Sequence, residues 1–128
     1  MPYSFSKTID MTFDEAVSSV KQELQREGFG VLTEIDVKET LKQKLNVDFQ
    51  RYTILGACNP SFAYEALQLE NEVGVMLPCN VIVQEHAGGG VRISAVDPVA
   101  SMQAIDNPNL NEIANQVRDK LRSVIDAL

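Results

Sequence analysis

The C-terminal stretch limits the fold more than any other part of the chain. From Pro108 onward, Leu110, Ile113, Ala114, Val117, Leu121, Val124, Ile125 and Leu128 recur at helical spacing and form one apolar stripe. Arg118, Lys120 and Arg122 fall on the opposite face. Asn107-Pro108 stands in front of the stripe as a helix start, with Asn as N-cap and Pro where no N–H is needed. A stripe this long must be buried against a broad apolar surface. The remainder of the chain offers such a surface mainly as strands.

Tyr3 to Ile9 alternates, with Tyr3, Phe5 and Ile9 on one face, and predicts a first strand. Thr12 and Glu15 have capping-box spacing ahead of Phe13, Ala16, Val17, Val20 and Leu24, which share one helical face. Gly28 is placed to end that helix. A second strand follows from Phe29, with Phe29, Val31, Ile35 and Val37 expected on one face and Glu34, Asp36 and Lys38 on the other. Residues 39–45 predict a short helix, and 51–58 a third strand. Asn59-Pro60 opens an inserted helix expected to bury Phe62, Ala63, Ala66 and Leu67 and to stop near residues 69–71. Pro78 can begin a strand but not sit inside one, so the fourth strand covers 79–85. A glycine-rich turn at 87–90 joins it to a fifth at 91–96. Asp97-Pro98 predicts another short helix, to about Ile105.

This order predicts an α+β fold: a single antiparallel sheet with helices packed on one face, in β-α-β(4)-α order, with a short extra helix inserted between strands three and four. The 128 residues read as one domain, 1–128, without a linker or repeat. Strand three places Tyr52, Ile54 and Cys58 on one side and Leu55 and Ala57 on the other. A sheet apolar on both sides needs a second cover, which predicts a homodimer.

The formal net charge of −7 opposes binding to phosphate backbones and anionic lipids, so neither nucleic acid nor membrane is an expected partner. No apolar run approaches the length of a membrane span or a secretion signal, and the expected location is cytoplasmic. In that compartment the two cysteines are expected as reduced thiols.

Both cysteines precede asparagine, as Cys58-Asn59 and Cys79-Asn80, at the facing ends of strands three and four. If both side chains leave the same face of an antiparallel pair, the sulfurs approach each other. Cys58 and Cys79 are then candidate ligands for a soft metal, Zn(II) or Cu(I), or partners in thiol chemistry. The alternative is packing: unreactive cysteine behaves as a small hydrophobe, and Asn59 caps a helix. Asn80 has no such duty, and a ligand-binding role for Cys58, Asn59, Cys79 and Asn80 is a third reading. The C-x-x-C spacing of a strong metal motif is missing. The single histidine, His86, precedes the glycine turn, and no nucleophile, base and orienting group converge in the sequence. No catalytic residue is assigned, and an enzyme is disfavoured.

The stretches ILGACNP at 54–60, GVMLPCNV at 74–81 and VDP at 96–98, with Ala63 and Ala66-Leu67 between them, resemble a bacterial and archaeal family. It is catalogued as domain of unknown function 302 (DUF302). The resemblance spans essentially the whole chain. It implies a fold similar to the TATA-binding-protein-like class, commonly seen as a homodimer, and no agreed activity. Sequence and resemblance together lead to a small cytoplasmic homodimeric binding or accessory protein without an expected cofactor. The rival is a thiol-dependent protein handling a soft metal or sulfur species through Cys58 and Cys79.

Overall fold

The computed structural model describes residues 2–128. Its strands are β1 (Ser4–Ile9), β2 (Gly30–Asp36), β3 (Tyr52–Cys58), β4 (Cys79–Glu85) and β5 (Val91–Val96). They form one antiparallel sheet in the order β1-β5-β4-β3-β2. Helix α1 (Phe13–Arg26) follows β1, α2 (Val37–Leu45) follows β2, and α3 (Pro60–Leu69) follows β3. A 3₁₀ turn (Asn71–Met76) leads to β4, while α4 (Pro98–Ser101) and α5 (Pro108–Asp126) follow β5. The α+β class, the antiparallel sheet and the helices on one side match the sequence expectation.

Local signals act where they were read. Thr12 Oγ1 accepts from the Glu15 backbone N–H at 3.2 Å and donates to the Glu15 carboxylate at 2.9 Å, which closes the start of α1. Gly28 follows the C-cap of α1 with φ +86°, a conformation that favours glycine. On α5, Leu110, Ile113, Ala114, Val117, Leu121, Val124 and Ile125 are all buried. The stripe meets Leu55, Val81, Val83, Ile93 and Ala95 from the sheet, together with Ala16, Val20 and Leu24 of α1, in one large core. A smaller cluster joins Ala66, Val73, Met102, Leu110 and Ala114 where α3, the 3₁₀ turn and α4 meet α5.

Four expectations are corrected. First, Leu32 is an extra residue in β2, because the register jumps between Val31 and Thr33. The bulge reverses the alternation, so Ile35 no longer shares a face with Val31; it pairs with Ile54 and is 46% exposed. Second, α2 begins at Val37, capped by the Asp36 carboxylate accepting from the Glu39 N–H at 3.0 Å. Val37 and Lys38 therefore belong to a helix and not to a strand. Third, Leu67 of α3 is 44% exposed, since only Ala66 of that helix is fully buried. Fourth, α4 ends at Ser101, and residues beyond it reach Pro108 through turns.

Candidate functional site

The Cys-Asn stretches lie at the neighbouring ends of β3 and β4, as the sequence placed them. Their register decides what they can do together. Cys79 pairs with Ala57, and Asn80 with Gly56, so Cys58 lies one residue beyond the partner of Cys79. A one-residue offset reverses the face of a strand residue. Cys79 therefore faces the helices with Val81 and Val83, while Cys58, the last residue of β3, is offset from it by one position although both border the same space under α3. The two thiols do not form a close pair, and both are free. That corrects the expectation of two sulfurs meeting on one face.

Cys58, Asn59 and Cys79 border a cavity of about 40 Å³ between the two core clusters, closed over by Phe62, Ala63 and Ala66 of α3. The lining is overwhelmingly apolar. Water entering such a space would find too few partners. Burial pushes the Cys79 thiol up from 9.0 to about 11, with the nearby Cys58 adding to the effect. At neutral pH Cys79 is then a protonated thiol, whereas metal ligation and nucleophilic attack both need the thiolate. Among the described residues, no three or more His, Cys, Asp or Glu gather to hold a metal.

The raised value has a consequence for labelling. An unfolded chain releases the Cys79 proton near pH 9, the folded chain only near pH 11, so Cys79 disfavours the folded state as pH rises between them. At pH 8, a thiol reagent should modify Cys58, which is half-buried, and leave Cys79 untouched until denaturant is added. Equal native rates at both sites would contradict the burial of Cys79.

Asn59 occupies the N-cap position of α3 with Pro60 after it, but its side chain makes no capping bond. Its Nδ2 donates instead to the Glu27 carbonyl at 3.3 Å, tying the start of α3 to the end of α1. The helix start was readable from Asn-Pro. The partner was not, because it is 32 residues away in sequence.

Asn80 lies on the other side of the sheet, exposed, on the face without helices. There the chain forms a groove of about 430 Å³ over β1, β5, β4 and the start of β3. Ser4, Ser6, Tyr52, Asn80, Gln84 and Ser94 bring hydroxyls and amides to it, Ile82 an apolar floor, and Arg92 a charge. Ser6 and Ser94, directly paired across β1 and β5, share a hydroxyl hydrogen bond of 2.8 Å. Gln84 Oε1 accepts from Gln50 Nε2 at 3.1 Å. Arg92 stands between Thr8 and Gln84 in the cross-strand row. The sequence reading missed Ser6, Gln84, Arg92 and Ser94. Their signal was the polar alternation inside β4 and β5, which becomes a site only once the register aligns it. His86 is exposed beside the β4–β5 turn, away from this lining.

Residues 5–128 match the family described as "Domain of unknown function DUF302". The chain belongs to this family. A crystal structure of an uncharacterized conserved DUF302 protein from Bacillus stearothermophilus is similar over 98% of both chains, with a TM-score of 0.91 and 29% sequence identity. No curated protein matches. Among the described residues, no helix of this DUF302 chain is long and apolar enough to cross a membrane.

Proposed function

We propose that this DUF302 chain is a homodimeric cytoplasmic binding protein, without a catalytic centre of its own, that takes a small molecule in the open groove. The groove itself carries the reading. Its volume of about 430 Å³ falls in the range of small-molecule sites, and convergent hydroxyls and amides surround one apolar floor. The ligand surface is therefore the Asn80 side of the Cys-Asn pair. Cys58, Asn59 and Cys79 support the strand ends from beneath. The buried, protonated Cys79 weighs against the thiol and soft-metal alternative.

Homodimerisation is supported by the β2 side of the same sheet face. Ile35, 46% exposed, pairs with Ile54 on that face, and Leu32, Val47 and Phe49 are further exposed apolar side chains of β2 and the segment before β3. Lys38 and Lys42 gather with Asp36, Glu39 and Asp48 beside Val47 and Phe49, a mixed-sign surround that suits a self-complementary contact. The cytoplasmic placement rests on two free thiols, and the net charge of −7 weighs against a nucleic-acid partner.

The test is NMR shift mapping with a fragment library, on samples whose mass is fixed by sedimentation. Shifts should cluster on the amides of Asn80, Ile82, Gln84, Arg92 and Ser94, in a particle of twice 14.1 kDa. Perturbation confined to α3 and Cys79 would move the ligand site to the small cavity and overturn the groove reading. A 14.1 kDa particle would remove the dimer.

A further inference from the structure

The protein is strongly acidic, with 18 Asp and Glu side chains against 11 Lys and Arg. A cation in such a chain normally finds a carboxylate, and most here find a partner. Lys21, Arg26, Lys42, Arg51 and Arg118 are in ion pairs. Arg122 lies over the Phe5 ring at 4.6 Å, while Lys7 and Lys38 donate to backbone carbonyls. Arg92, Lys44 and Lys120 have no such partner among the described residues, and of these three only Arg92 lies in a strand, half-buried at the second position of β5. No Asp or Glu lines the groove that Arg92 enters.

The neighbouring groups are biased in the same direction. The Gln84 carbonyl oxygen is already occupied by Gln50, which leaves the Gln84 amide N–H groups to donate. In the Ser6–Ser94 pair one hydroxyl proton is used between the two oxygens, and the other is free. The Tyr52 phenol and the Asn80 amide can donate as well. A guanidinium supplies five further N–H donors in a fixed fork that matches the oxygens of a carboxylate or phosphate. The groove is rich in donors and lacks carboxylate acceptors, and so fits a ligand rich in acceptors. Ile82 and the Tyr52 ring, set 6.2 Å from Phe49, offer an apolar flank to the body of that ligand.

We infer that the groove is an oxyanion site: it takes a small organic carboxylate or phosphate monoester, held by Arg92 and oriented by Gln84, Asn80 and the Ser6–Ser94 hydroxyls. The inference rests on the groove reading above and names its ligand class. Net charge −7 repels anions at long range, so the attraction must be local, and a single unpaired guanidinium on a partly desolvated sheet face provides it.

Three probes with the same ring separate the charge from the body: benzoate, phenyl phosphate and benzyl alcohol. Shift-mapped titrations should show at least one of the two anions binding the groove roughly tenfold or more tightly than the neutral alcohol. The better anion identifies which oxyanion the site prefers. Arg92→Gln should abolish that advantage, and Arg92→Lys should keep part of it, since a point charge replaces the fork. Both variants remove a side chain without a partner, so melting temperatures should stay near that of the parent chain, a check made before titration. Groove shifts of equal strength from all three probes, unchanged in Arg92→Gln, would overturn the oxyanion site and leave the groove reading standing. Absence of groove shifts from every probe would overturn both.

Discussion

Leu121→Ala should lower the stability of this chain by about 3–4 kcal/mol, the size expected when a fully enclosed leucine is truncated and its neighbours relax only in part. Leu121 is 0% exposed and sits midway along the α5 stripe, where it belongs to the large core shared by α1 and the sheet. Helix α5 packs against both β1 and β5, so truncation at Leu121 opens space in the layer that covers them. The melting temperature should fall by roughly 10 °C or more, and urea midpoints should shift with little change in slope. Leu67→Ala is the matched control. That leucine is 44% exposed on α3 and should cost no more than about 0.5 kcal/mol. A loss below about 1 kcal/mol at Leu121 would mean that α5 is not the main cover of the sheet.

Gly56→Ala should be the next largest effect, and its sign runs against the usual expectation. In a strand, exchanging glycine for alanine normally gains a few tenths to about 1 kcal/mol by restricting the unfolded chain. At Gly56 a Cβ would stand 2.1 Å from Thr33 Oγ1 and 2.8 Å from Pro78 Cγ. The threonine can rotate, but the proline ring, fixed to its own backbone at the entry to β4, has much less freedom. We expect a loss of about 2–3 kcal/mol by overpacking. Thr33→Ala placed in the same chain removes the nearer obstacle and should return part of the loss, leaving the share due to Pro78. Full additivity of the two substitutions would show that Thr33 and Gly56 do not meet. Because Asn80 is the register partner of Gly56, the same substitution should also perturb the Asn80 amide resonance at one end of the groove.

Much of the architecture was legible in short stretches. The α5 stripe, the Thr12–Glu15 cap, the helix starts at Asn59-Pro60, Asp97-Pro98 and Asn107-Pro108, and the strand opened after Pro78 all depend on residues within a turn or two of each other. Where reading failed, a distant partner was deciding. Asn59 looked like an ordinary cap, yet its amide answers to Glu27 across the end of α1. Leu67 fits the apolar periodicity of α3, but α3 rests on the core at its other side and leaves Leu67 in solvent. The alternation from Phe29 to Lys38 was consistent by itself and was broken by one bulge residue, Leu32, visible only against β3.

The candidate site shows the same division. The amino-acid sequence alone placed Cys58 at the end of one strand and Cys79 at the start of the next, because Asn59-Pro60 opens the inserted helix and Pro78 precedes the following strand. It also carried the family resemblance that the match over residues 5–128 bears out. Only the tertiary structure decided the faces. Pairing Cys79 with Ala57 instead of Cys58 offsets the two thiols by one position, buries Cys79 as a neutral packing group, and turns Asn80 toward a groove with Arg92, Gln84 and Ser94. Side chains alternate with a period of two, so one step of register exchanges the two sides of a sheet. Local sequence sets where a strand begins, and long-range pairing sets which of its residues meet.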